Sequence, residues 1–454
     1  MKSISNIISQ ALKQCQPSAE DVEKLTKVAI ETKSLVSRYI SPKVVDVVFG
    51  GSFAKGTWLK DEVDIDIFIK IDNSVNDIEF GHLGEQVGLQ SLKGYNPYLR
   101  YSDHPYVEAV INGIRVNVVP CYDVLKGKWK SAADRSPFHT EYIKNNLDDD
   151  QRNQVRLLKK FLKSVGIYGA DIATGGFSGY VAEIMILKYG MFESVLHAMS
   201  NIGVENNVIS IDKPDEYSIK NFESQLIIID PIDHRRNLGT AISAESVGKL
   251  VLAARSFLAK PSFDFFIKNE KKLSENYEGL YPNLVIIEFS YKRRSPDVIW
   301  GQLKRSLNAI SKQLELANFK VIRGICVTDQ QETAVFVFLL DSVTLSPYTE
   351  KIGPKIFMRK ETANFILKNQ EKSLITWVDN EMRVSTLIQR ETTNAKHFLK
   401  LLLTKKIEST GITKGLKGDI QRLFRIYSGD DQTINGLAKE AVRDLITSDE
   451  RILQ

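Results

Sequence analysis

The sequence of 454 residues contains only three cysteines, Cys15, Cys121 and Cys326, scattered without metal-ligand spacing and without an even count for a disulfide set. That scarcity excludes a cysteine-rich zinc module and a disulfide-stapled secreted domain, and a cytoplasmic location follows by default. Nothing in the chain approaches eighteen consecutive apolar residues, and the opening "MKSISNIISQALKQCQ" lacks the apolar stretch of a signal peptide. No membrane association is expected. Internal repeats and low-complexity tracts are absent as well. A surplus of one charge sign is also small, 61 Lys/Arg against 56 Asp/Glu for a formal net charge of +5. What remains is an ordinary globular composition, 43% hydrophobic and 26% charged, over a length that predicts two to four domains.

The small charge surplus is concentrated. Between Pro354 and Ile407 eleven Lys/Arg stand against five Asp/Glu, which accounts for about the whole excess. Alone, such a segment reads as a solvated helical face. Beside a phosphate-handling site it points to a polyanionic partner.

Residues 5–40 are predicted as helix, with Ile8, Leu12, Val22, Leu25, Ile30 and Leu35 as its apolar positions. "KVVDVVFG" and "VDIDIFIKI" are predicted strands around the loop and helix start "SFAKGTWLK". "YVEAVINGIRVNVVPCYDV" reads as two strands joined at Asn112-Gly113, a strong hairpin signal. Residues 151–200 turn helical, interrupted by "GADIATGGFSG". A looser stretch, 201–225, precedes "LIIIDPIDHRRNLGTA", a strand entering an Asp/Pro turn and a helix start. Farther on, a β-α-β-β order predicts a small α+β domain with helices on one face of a sheet, followed by the basic, mainly helical segment.

The chemistry concentrates in "FGGSFAKGTWLKDEVDIDIFIK", residues 49–70. In a strand Asp64 and Asp66 share one face, while Val63, Ile65 and Ile67 share the other. Two carboxylates about 7 Å apart on one face repel unless a cation sits between them. Mg²⁺ suits oxygen ligands combined with substrate phosphates. Upstream, the backbone of Gly50 and Gly51, the Ser52 hydroxyl and Lys55 are candidates to cradle those phosphates.

The pattern apolar-Gly-Ser-x11-Asp-apolar-Asp-apolar resembles the nucleotidyltransferase superfamily that includes DNA polymerase β. "HPYVEAVINGIRVNVVPCY", "DRSPFHTEYI", "NQVRLLKKFLKSVGIYGA", "GGFSGYVAEIMI" and "DPIDHRRNL" resemble one branch of it, the archaeal class I CCA-adding enzymes. The resemblance implies an α+β multidomain chain: a polymerase β-like catalytic head over 1–145, a helical neck over 146–260 and a ferredoxin- or RRM-like α+β body over 261–350. The basic tail region would span 351–410, and a segment returning to the body 411–454. It implies transfer of CMP and AMP from CTP and ATP to a tRNA 3′ end, with the acceptor stem and T arm gripped by body and tail; a homodimer is left open. By the same resemblance Asp64 and Asp66 bind Mg²⁺, while Gly51, Ser52, Lys55 and Lys159 hold triphosphate and Tyr168 the sugar. Ser136 and His139 contact nucleotide, and Arg236 reads the base, its planar donor fork suiting C and A edges.

One position departs from the family pattern. Where the family strand reads "VDVVPCY", this chain has "VNVVPCY", with Asn117 as the third member of the catalytic and metal set. An amide ligates weakly through its oxygen, brings no charge and cannot act as a base. The substitution is an inactivating change, a natural reduction of activity, or one compensated by a neighbour. For the last, a two-residue hairpin at Asn112-Gly113 would pair 111 with 114 and set Glu108 opposite Asn117 at about 5 Å on the same face. The rival readings are another template-independent nucleotidyltransferase, such as a poly(A) polymerase, and a tRNA-binding pseudoenzyme.

Overall fold

In the computed structural model, residues 4–453 are described apart from 61, 102–103, 204–205, 213–221, 223 and 269–274. Much of the loose stretch 201–225 therefore lies outside the described residues. The chain divides into two compact units, 1–270 together with 449–454, and 271–448.

The predicted single N-terminal helix is two, α1 (Ile4–Cys15) and α2 (Ala19–Ser37). Pro17 has no N–H to continue α1. Ser18 then caps α2: its hydroxyl accepts from the Asp21 amide at 3.1 Å, and the Asp21 carboxylate accepts from the Ser18 amide at 2.8 Å. The buried stripe of α2 is Leu25, Val28, Ala29, Thr32 and Val36, whereas Val22 and Ile30, expected inside, are exposed.

The head is a mixed five-stranded sheet. Its strands are β1 (Val44–Gly50), β2 (Asp64–Asp72), β3 (Tyr98–Tyr101), β4 (Pro105–Ile111) and β5 (Ile114–Asp123), in the order β1-β2-β5-β4-β3. Only β2 and β5 run parallel. The short helix α3 (Gly51–Lys55) leaves the end of β1, and α4 (Asp77–Ser91) covers the apolar face. That face buries Ile65, Ile67, Ile69 and Ile71 of β2 with Val107, Val116 and Val118. Asp64 and Asp66 necessarily point the other way. At the hairpin, Asn112 and Gly113 both take positive φ, 51° and 80°, and Ile111 pairs with Ile114.

Among the described residues the α-helices that follow in the same unit are α5 (Arg135–Asn146), α6 (Asp149–Ser164), α7 (Gly179–Tyr189), α8 (Phe192–Ser200) and, after the two-residue strands β6 (Val208–Ile209) and β7 (Ile227–Ile228), α9 (Ala244–Ala259). Phe161, Phe192, Phe257, Phe265 and Phe266 interlock in their core.

In the second unit, β8 (Leu284–Ser290), α10 (Pro296–Leu316), β9 (Val321–Thr328) and β10 (Thr333–Leu340) keep the predicted β-α-β-β order. The next elements are β11 (Tyr348–Lys355), α11 (Arg359–Asn369), β12 (Ser373–Val378), β13 (Arg383–Gln389), α12 (Ala395–Lys405), α13 (Lys414–Arg422), β14 (Phe424–Ser428) and α14 (Gly436–Ile446). The main sheet is antiparallel in the order β14-β8-β10-β9. Two expectations fail here. Helices cover both faces of this sheet: α10, α12 and α13 pack on one, and α14 packs on Leu284, Ile286, Val335 and Val337 of the other. The basic segment is not mainly helical, because β11, β13 and β12 form a three-stranded sheet beside α11. Between its charges lie "SLITWV" and "RVSTLIQ", rich in β-branched residues, a strand signal that a count of basic residues conceals. The last helix, α15 (Glu450–Leu453), belongs to the first unit and packs on α9. Among the described residues no helix is long and apolar enough to cross a membrane.

Candidate active site

The register of the head sheet places polar residues in rows on its open face. One row runs Gly50, Asp66, Asn117, Glu108, Tyr98, each the direct cross-strand partner of the next. The row beside it holds Asp64 and Arg115. Asn117 Nδ2 donates to Asp66 Oδ1 at 2.9 Å, and Arg115 Nε lies 3.4 Å from Asp64 Oδ1. Glu108 does stand opposite Asn117, as the hairpin predicted; it is buried, accepts from the Tyr98 hydroxyl and pairs with Arg100 at 3.4 Å.

Burial pushes the Asp64 carboxyl above the ordinary carboxylate range, with Arg115 opposing and Asp66 and Glu108 adding to the shift. Burial also raises Asp66, against the Asn117 hydrogen bond and the charges of Lys55 and Arg115. In both groups the neighbours offset the cost of burying the charge only in part, a condition that a cation relieves. Asn117 Oδ1 is buried with no hydrogen-bond partner. An orphaned amide oxygen in the row beside Asp66 is an oxygen donor of the kind a hard divalent cation takes. Among the described residues no three His, Cys, Asp or Glu side chains close around one metal position.

Ser52 on α3, Asp64, Arg115, Lys159, Lys163 and Tyr168 line one cavity of about 430 Å³. Lys55, one turn on from Ser52, turns the other way: it is buried and pairs with Glu183 Oε2 at 2.8 Å. Lys159 reaches Glu183 Oε1 at 3.1 Å, and Thr57 donates to the same oxygen at 2.5 Å. Burial raises the Glu183 carboxyl, but the two ammonium groups outweigh it and hold the pKa at about 2. Burial pulls the Lys159 ammonium below its ordinary value, with Glu183 opposing.

Lys55 Nζ also sits 4.9 Å above the Tyr180 ring, which stacks on His139 at 4.0 Å. Both lead to Asp230, which is fully buried. Asp230 Oδ2 meets His139 Nε2 at 2.9 Å and Arg236 Nη1 at 3.2 Å, and its Oδ1 accepts from the Tyr180 hydroxyl and the Ile232 amide. Burial keeps His139 below the usual histidine value, over the opposing effect of Asp230. At neutral pH the imidazole is therefore mostly uncharged, and Nε2–H donates to the carboxylate. Ser136 lies three residues before His139 on α5, and its carbonyl accepts from Thr140. Arg236 keeps nearly half its side chain exposed and lines an open cavity with Trp129, Arg135 and Asp233.

The candidate residues thus fall into two groups: Ser52, Asp64, Asp66, Asn117, Lys159 and Tyr168 near the sheet, and His139 and Arg236 around Asp230. Glu183, Tyr180 and Asp230, which join them, escaped the sequence analysis. A single glutamate within "YVAEIMIL" was the available signal, since a lone acid inside an apolar helix is buried only with a partner.

Three family models match in order along the chain: "Nucleotidyltransferase domain" over residues 30–144, "tRNA nucleotidyltransferase, second domain" over 153–267 and "CCA-adding enzyme, C-terminal domain" over 282–429. The CCA-adding enzyme of Pyrobaculum neutrophilum is 36% identical over 79% of this chain and 84% of its own length. That of Pyrobaculum aerophilum is 34% identical over 95% of this chain and 98% of its own, and that of Saccharolobus shibatae 33% identical over 88% and 93%. Paired aspartates beside a Gly-Ser turn, three successive family domains and this near-complete coverage agree, and the chain belongs to the CCA-adding enzyme family of tRNA nucleotidyltransferases.

Proposed function

We propose that the protein adds C, C and A to the 3′ end of tRNA from CTP and ATP without a nucleic-acid template. The observation that carries this reading is the shared open face of Asp64 and Asp66 beside Ser52, Lys159 and Tyr168. In each step the RNA 3′-oxygen bonds to the α-phosphorus of the nucleotide. The bond from that phosphorus to the bridging oxygen breaks, pyrophosphate leaves with the electron pair, and the hydroxyl proton passes to water.

Asp64 and Asp66, with the Asn117 amide oxygen, would hold divalent cations, best Mg²⁺. Such ions supply charge stabilisation for the attacking and leaving oxygens of an in-line displacement. Ser52, Lys159 and Tyr168 bind the triphosphate and sugar, and Lys55, braced by Glu183, lends positive charge from behind Ser52. Arg236 reads the base from a guanidinium anchored on Asp230, with His139 and Ser136 beside it. The four-stranded sheet, with its β-α-β-β start and returning strand β14, matches a ferredoxin-like order. It and the basic three-stranded segment grip the acceptor stem and T arm by shape and phosphate contacts.

The test is extension of a tRNA lacking its terminal triplet. CTP plus ATP should lengthen it by three nucleotides and then stop. An open-ended ladder from one nucleotide would point to a poly(A) polymerase-like activity instead, and tRNA binding without transfer would point to a pseudoenzyme.

A further inference from the structure

Another cavity, of about 1010 Å³, lies behind the Gly-Ser loop in the first unit, near the upper end of small-molecule pocket sizes. The proposed reaction does not use it. Trp58 lines both this rear cavity and the catalytic one, and α3 puts Ser52 on the catalytic lining and Phe53 on the rear lining. The rear cavity has two unlike walls. The apolar wall holds Phe49 and Phe53, which meet edge to face at 5.3 Å, and the exposed side chains of Val22 and Ile30 on α2. The cationic wall holds Arg152 and Arg156, one turn apart on α6, and Lys144, whose carbonyl accepts from Arg152 Nη2 at 3.3 Å. Among the described residues Asp149 is the sole acid of the lining, and its side chain is 96% exposed, so water screens its pairing with Arg152. Lys55 is already taken by Glu183.

Arg156 is 8% exposed and pairs with no carboxylate among the described residues. Its bonds go to neutral acceptors: Nε to the Trp58 carbonyl at 3.0 Å, Nη1 to Asn153 Oδ1 at 2.7 Å and Nη2 to the Gly56 carbonyl at 2.6 Å. They engage three of the five guanidinium donors. A buried charge with no counter-charge is costly: burial lowers the Arg156 pKa, with Cys15 opposing and Arg152 adding to the shift. Arg152 Nε is buried with no acceptor. Adjacent guanidinium groups with unengaged donors fit the oxygens of a phosphate group. Three cations gathered where α5 ends and α6 begins suit one phosphate better than the row of phosphates of an RNA strand. We propose that the rear cavity is a second ligand site for a small phosphate ester with an apolar ring, a nucleoside monophosphate being the simplest example, its phosphate on Arg152 and Arg156 and its ring against the apolar wall. Arg156 also holds the carbonyls of Trp58 and Gly56, and Gly56 ends α3 in the left-handed conformation at φ 68°. A bound phosphate that pins Arg156 therefore steadies the helix that carries Ser52 and tightens nucleotide binding there. That coupling rests on the reading of the head as a nucleotidyl-transfer site, whereas the binding does not.

The experiment titrates AMP into the full chain by calorimetry, without tRNA or divalent metal, with adenosine and inorganic phosphate as separate arms. A photoreactive azido analogue of AMP, followed by peptide mapping, locates the site. AMP should bind and its analogue should label α2 or the segment 48–54. Arg152→Gln should weaken binding on the order of tenfold, as loss of a charge-assisted contact does. Val22→Trp, which fills the cavity from an exposed position, should abolish it. Adenosine and inorganic phosphate should each bind on the order of tenfold more weakly than AMP, since each lacks one half of the ligand. No AMP binding, label confined to the catalytic cavity, or affinity unmoved in both variants would overturn the site. Inorganic phosphate binding as tightly as AMP would overturn the ring contact, and a tRNA footprint on α2 and α6 without AMP binding would make this surface an RNA contact instead. In CMP addition, AMP should lower the KM for CTP about fivefold in the parent and not in Val22→Trp. An unmoved KM with binding intact would overturn the coupling, and AMP binding without any transfer would refute the proposed activity and leave the site standing.

Discussion

Gly51 and Asp66 are in steric opposition: a methyl group at Gly51 would sit 1.9 Å from Asp66 Oδ2. Gly51 also holds φ at +63°, a conformation side chains resist. The loop and the aspartate therefore approach as closely as they do only because residue 51 has no side chain. Gly51→Ala should displace Asp66 and lower transfer on the order of 10²-fold, the scale of an ångström-sized misplacement in an active site. Single-turnover rates should show that loss with only a few degrees change in Tm. A variant with full activity would mean that the loop does not set the aspartate.

Asp66→Asn separates the electrostatic cost of the site from its chemistry. The folded-state pKa of Asp66 is raised, so its contribution to stability is present below the unfolded carboxylate value and lost as pH rises through the folded one. At neutral pH without metal the ionised group is a net cost. Asp66→Asn should then melt higher, by about 2–4 °C per kcal/mol relieved for a unit of this size, while losing transfer. Mg²⁺ should raise the Tm of the parent and leave the variant's almost unmoved. Calorimetry with and without MgCl₂ checks both halves.

Glu183→Gln attacks the brace shared by two lysines. Removing one partner of a buried ion pair costs about 3–5 kcal/mol, because the other charges remain buried. The sign with pH is opposite to that of Asp66. Glu183 is held at about 2, so its contribution is present above the ordinary carboxylate value of 4.5 and lost as pH falls toward 2. Denaturant titrations from pH 6 to pH 3 should show the parent losing stability more steeply than Glu183→Gln. Parallel slopes would remove Glu183 from the account.

Arg236→Ala should blur the choice of CTP and ATP over UTP and GTP by about 1–3 kcal/mol of discrimination, with RNA binding little changed. Asp230→Asn should move selectivity the same way, since it loosens the anchor of the guanidinium. Single-turnover competition between nucleotides is the measurement, and intact selectivity in both variants would place the base elsewhere.

Lys355, Arg359 and Lys360 are exposed around the end of β11 and the start of α11. Neutralising all three should weaken tRNA binding and flatten its salt dependence by roughly one logarithmic slope unit per lost phosphate contact. An unchanged slope would show that RNA does not cross this surface.

What could be read from the sequence was local. The alternation in "VDIDIFIKI" and the Asn112-Gly113 turn were enough to place Asp64, Asp66, Asn117 and Glu108 on one face, since strand period and turn length set register between neighbours. At α1 and α2 the apolar period survived the Pro17 break, so the pattern ran on where the backbone did not. The two-sided burial of the second sheet was written in β8, whose "LVIIEF" is nearly continuous in apolar residues instead of alternating. Glu183 and Asp230 were illegible as functional because key partners lie far off in the sequence, His139 91 residues from Asp230 and Lys55 128 from Glu183. Pairwise charge contacts at that separation leave no periodic trace.

Helix α15 completes the first unit from beyond the second in the sequence. Ile452 is buried in the core of that unit, Ser256 donates to its carbonyl, and Arg451 donates to the carbonyls of Ser164 and Ile267. These contacts join residues 184 to 287 positions apart in the chain. The segment that completes the first unit is therefore synthesised only after the whole of 271–448. A chain that stops before residue 449 would therefore present the unit that carries both aspartates without the Arg451 and Ile452 contacts.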